Sequence, residues 1–94
     1  MTIPKKVKIG AVWYKVIVAV CWPGRDHGDH DGEMFYDRRH GHVIYIGGEL
    51  TPEAQWVTFI HEILHALNAT LDHVALDSLA EQLGQVFIEN KFLK

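Results

Sequence analysis

Ninety-four residues, 48% of them hydrophobic and 22% charged, describe one ordinary globular domain and exclude a disordered chain. A net charge of −3 with no basic tract gives no electrostatic surface for nucleic acid. The longest apolar run, Ala11 to Trp22, is interrupted by Lys15 and too short for a bilayer, and the lone Cys21 forbids an internal disulfide.

In chain order, Met1-Thr2-Ile3-Pro4-Lys5-Lys6 is basic, but the alternating segment after it offers no signal-peptide cleavage site. With the single cysteine, this makes a reducing, cytoplasmic setting the expectation, with no membrane and no nucleic acid among the partners. Val7 to Gly10 and Val12 to Val20 alternate as two strands, turned at Gly10-Ala11. Trp22-Pro23-Gly24 ends the second, and Arg25 to Gly32 is a polar loop without periodicity. Met34 to Asp37 and His42 to Ile46 flank Arg38-Arg39-His40-Gly41 as a hairpin, closed by Gly47-Gly48.

Two helices follow. Thr51 is placed as N-cap, with Pro52 at the first helical position and Glu53 near the positive dipole end. Trp56, Val57, Ile60, Ile63, Leu64, Leu67 and Leu71 then recur at helical spacing. The second helix follows Asp72 and runs to about Asn90, with Leu76, Leu79, Ala80, Leu83, Val86 and Phe87 on one face. Strands first and helices after predict an α+β fold, a small antiparallel sheet of three to four strands packed on two helices, in a single domain over residues 1–94.

The chemistry is concentrated in His61-Glu62-Ile63-Leu64-His65, a complete HExxH. Residues four apart on a helix point the same way, so both imidazoles can reach one cation. Zinc held by three protein ligands keeps a position for water and lowers its pKa to around 7, and the glutamate can then take the proton as water attacks a carbonyl. On a helical wheel His61 and His65 flank the apolar stripe, roughly 90° and 130° from its centre, and Glu62 faces nearly away from it. The bland alternative is a pair of half-buried structural histidines.

The motif leaves the third protein ligand unnamed. Among Asp72, His73, Asp77, Glu81 and Glu89, the second helix's wheel sets Asp77 and His73 on the flank shared with Gly84, whose missing side chain lets another helix approach. Asp77 stands first, with Glu81 and His73 as alternates. The His/Asp-rich stretch containing His27 and His30, together with His40 and His42, matches no ligand frame. An EF-hand counted from Asp26 places Asp37 where a glutamate is required.

Taken together, Ile3 to Ile9, the strand ending in Gly47-Gly48, His61 to Leu67, and Leu76 to Asn90 resemble small phage and prophage proteins of minimal zincin type, distant relatives of the ImmA/IrrE metallopeptidases. The resemblance implies a third ligand from an ExxA arrangement on the following helix, matched here by Asp77-Ser78-Leu79-Ala80, with aspartate one methylene shorter than the family's glutamate. It also implies an edge strand before the active-site helix, here His42 to Ile46, that pairs with an extended peptide.

The leading expectation is thus a zinc metallopeptidase acting on a peptide or protein, with Zn²⁺ on His61, His65 and Asp77 and Glu62 as general base. Tyr45 and His42 are candidates for stabilising the oxyanion. A zincin scaffold that keeps its metal but only docks to a partner is the second reading. A metal-dependent ribonuclease using His61, His65 and Asp72-His73 is the third, disfavoured by spacing and by the missing basic groove. Trp13, Trp22, Trp56 and Phe92-Leu93 are candidates for a subunit interface.

Overall fold

A computed structural model describes residues 2–23, 25, 31–37, 40–67 and 72–90. The N-terminal strands are β1 (Lys6–Ile9) and β2 (Val12–Ala19), antiparallel with Lys8 opposite Trp13. Gly10 between them takes φ +61°, a left-handed conformation that glycine adopts without steric cost. Strands β3 (Gly32–Asp37) and β4 (Gly41–Gly47) form the expected hairpin, with Met34 opposite Ile44. Helices α1 (Pro52–Leu67) and α2 (His73–Glu89) complete the α+β domain.

Two expectations about the sheet need correcting. Its order is β1-β2-β4-β3, and β2 pairs with β4 in parallel, Val16 beside Ile44, so the sheet is mixed. Strand β4, which holds His42 to Ile46, is therefore interior, and the edge beside the hairpin is β3. Burial explains the placement. Val43, Ile44, Tyr45 and Ile46 are all buried, so both faces of β4 need cover and an edge position would waste it.

The two faces are covered differently. Val16, Ile44 and Ile46 pack with Phe59 of α1, joined by Trp56 and Ile63. On the reverse face Val43 and Tyr45 gather Trp22, Ile17, Ala19 and Phe35. Trp22 stacks on Tyr45 with ring centroids 5.2 Å apart, and Arg25 lies over the outer side of the indole while pairing with Glu49. Trp22 is thus core, not interface. Trp13 is exposed, and Trp56 is half-buried with an indole N–H that finds no partner among the described residues.

Only α1 meets the sheet among the described residues, and α2 packs on α1. The caps agree with the sequence: Thr51 Oγ1 accepts from the Ala54 amide at 3.2 Å, and Asp72 accepts from the Ala75 amide at 2.8 Å. The seam of α2 is Leu76, Ala80 and Gly84, all buried, while Leu79 is exposed. The apolar face drawn from the sequence, which included Leu79 and Val86, is thus turned so that these two are exposed. A Cβ at Gly84 would stand 2.8 Å from Val57 Cγ2, so glycine is what lets the two axes come this close.

Candidate metal centre

An α1 lying between a sheet and a second helix has two covered sides, and its HExxH residues divide between them. His61 turns toward α2, where its Nδ1 lies 2.9 Å from Asp77 Oδ1. One turn on, the His65 ring stands 4.7 Å from the His61 ring, centroid to centroid, at 65°. The two imidazoles therefore stay together, and the His61 side chain keeps 16% of its surface in solvent. Asp77 reaches His61 because the α2 seam is turned toward its flank and because buried Ala80 and Gly84 let the helices lie close.

Glu62 corrects the wheel. It is not directed away from the core but is only 6% exposed, on the side of α1 that faces the start of β3. The wheel assumed one buried stripe, and a helix between two layers has more than one. The contact is made at Gly32: a Cβ there would meet Thr58 Cγ2 at 2.6 Å, the Tyr45 carbonyl oxygen at 3.0 Å and Glu62 Cγ at 3.5 Å. Gly32 and the buried Thr58 are thus site-building residues that sequence reasoning missed. Gly32 had read as the end of a polar loop, with no signal of the helix above it.

Burial pushes the Glu62 carboxyl from its ordinary 4.5 up to about 7, and the nearby Glu33 carboxylate pushes the same way. Glu33 is itself held, since Trp22 Nε1 donates to its Oε1 at 3.1 Å. The cluster on the reverse face of the sheet therefore touches the electrostatics of the helix on the other side.

The remaining sequence candidates lie apart. Tyr45, proposed for the oxyanion, is buried beneath Trp22 and Phe35 on the reverse face. His42 sits between Tyr14 and Tyr36, each with ring centroids 5.3 Å from its own. Glu81 is exposed on α2. The side chain of His73, with His27 and His30, lies outside the described residues.

The donor chemistry suits a borderline cation such as zinc: two imidazoles side by side and a carboxylate against one of them. Yet among the described residues no three His, Cys, Asp or Glu side chains form a ready metal-binding group. Two donors are together, and Asp77 adjoins them on the Nδ1 edge of His61.

Set against known proteins, residues 25–90 match the family described as IrrE N-terminal-like domain, a peptidase family. The match spans the polar loop, the β3–β4 hairpin and both helices. No curated protein and no solved structure matches the chain.

Proposed function

The chain belongs to the IrrE N-terminal-like domain family of peptidases, and on that premise we propose that it is a zinc-dependent metallopeptidase centred on α1. The observation that carries the reading is the His61–His65 pair, with the buried Glu62 between them in sequence and pressed against the start of an edge strand. His61 and His65 would hold the zinc ion, with Asp77 the carboxylate that α2 brings beside them. When bound, the metal would supply an acidified water and a Lewis acid for the carbonyl.

The chain's own residues carry the remaining steps. Glu62, buried beside Thr58 and Gly32, is the residue to take a proton from water and return it to the leaving amine. Strand β3 is an edge of the sheet among the described residues and begins beside Glu62 at Gly32, so an extended peptide could add to that edge through main-chain hydrogen bonds. On this reading the substrate would lie along Gly32–Asp37, since His42–Ile46 is in an interior strand. Gly32 keeps the beginning of that strand free of a side chain where it passes the helix.

The test is zinc content and peptide hydrolysis of the purified chain beside Glu62→Gln. Wild type should bind zinc and cleave an unstructured protein substrate, and the variant should bind zinc while losing hydrolysis by roughly 10²–10⁴-fold. Hydrolysis unchanged in the variant would refute the assignment of Glu62. A second reading is a scaffold that keeps its metal and docks to a partner, and the observation behind it is that Asp77, the carboxylate at the expected third-ligand position, is shorter than glutamate and stands against Nδ1 of His61. Zinc uptake without hydrolysis in either protein would select it.

A further inference from the structure

We propose that Asp77 is a positioning residue acting through His61 and not itself a metal ligand; the inference rests on the metallopeptidase reading for its purpose, but not for its geometry. The carboxylate meets Nδ1 of the ring, at 2.9 Å, the distance of a charge-assisted hydrogen bond. An ionised carboxylate only accepts, so Nδ1 must donate. In the neutral imidazole this puts the single proton on Nδ1 and the lone pair on Nε2, the form in which a histidine takes up a cation. The carboxylate is spent on the edge of the ring that carries the proton.

The backbone explains why it stops there. Leu76 and Ala80 are buried at the seam, and Gly84 lets α2 close on Val57 until a Cβ would collide at 2.8 Å. Val57 faces Gly84 and His61, further along α1, faces Asp77, earlier on α2, so the two helices run antiparallel with both contacts on one seam. With the helices already in contact at Gly84, an aspartate has one methylene fewer than glutamate with which to pass the ring. The missing three-donor group among the described residues agrees with this. A partner that orients an imidazole from behind fixes its tautomer and raises its basicity, and its loss typically weakens metal binding 10–100-fold without abolishing it.

The experiment uses the full chain in three forms: wild type, Asp77→Ala and Asp77→Asn. The Asp77 side chain is 67% exposed, so both variants should fold, as far-UV circular dichroism will check. In metal-free protein, long-range proton–nitrogen correlation spectra of the rings should show His61 protonated on Nδ1. Asp77→Ala should move it to the Nε2-protonated form, while Asp77→Asn, which keeps an accepting oxygen, should retain much of the Nδ1 form. Zinc titrated against a chelating dye should bind Asp77→Ala with unchanged stoichiometry and about 10–100-fold lower affinity, with Asp77→Asn in between.

Complete loss of zinc binding in Asp77→Ala would make the residue a ligand and overturn the proposal. So would an Nε2-protonated His61 in wild type, or an affinity that does not change. A wild-type chain that binds no zinc, but shows the tautomer shift, upholds the clamp and removes the metallopeptidase reading instead.

Discussion

Withdrawing a carboxyl group from water disfavours its charged form, and Glu62 shows the cost in its proton affinity. Its folded value of about 7 lies above the ordinary 4.5, so the folded chain holds a proton that the unfolded chain releases earlier. At low pH both states keep that proton and nothing is lost. Between 4.5 and about 7 stability falls as pH rises, and above that window the loss is complete. In metal-free protein, Glu62→Gln should therefore gain on wild type by about 2–3 kcal/mol between about pH 4 and about pH 8. Urea denaturation at both ends of the range measures it, and a difference that stays flat contradicts the burial argument. The same residue marks a limit of sequence reading. HExxH announces the two imidazoles and the glutamate, but not where the glutamate points, because its surroundings come from Gly32 and Thr58 on separate elements.

Among the elements, the helices were the most legible. Thr51, Pro52 and Asp72 mark their starts by side-chain chemistry local to the chain, and Asn90 closes α2. Gly84 was readable as a point of close approach and is one. The sheet was only half legible: Asp37 to Gly41 brings β3 and β4 together, but nothing local says which side of the hairpin meets β2. The unbroken apolar run Val43-Ile44-Tyr45-Ile46 was the available clue, since a strand buried on both faces belongs in the middle. At the helix pair, Gly84→Ala should cost about 1–3 kcal/mol, because the new methyl meets Val57 Cγ2 at 2.8 Å. Val57→Ala in the same chain removes that neighbour, so the double variant should regain part of the loss. Thermal melts of the four proteins check this, and strictly additive effects would mean that the two positions do not touch.

For the molecule as a whole, β4 is the strand that joins everything. It bonds to β2 on one side and β3 on the other, with α1 over one face and the Trp22 cluster on the reverse. Ile44, fully buried beneath α1, sits at the crossing. Ile44→Ala should cost about 2–5 kcal/mol and leave a single transition, seen at the same denaturant concentration by tryptophan fluorescence and by circular dichroism. Two separated transitions would mean that the faces fold independently. The family match begins at residue 25, past the first two strands, yet those strands are part of the same sheet through the β2–β4 pairing.

The parallel placement of β4 has a consequence for the order in which a ribosome delivers the chain. The β1–β2 hairpin and β3 leave the exit tunnel before the strand that must slide between them. Until Gly47 has emerged, the nascent polypeptide carries the flank of β2 that β4 will later occupy, an open ladder of main-chain groups beside Val16, Ile17 and Val18. Synthesis therefore passes through a stage when that ladder can be taken by another strand, and shortened products ending before β4 should self-associate more readily than the full chain.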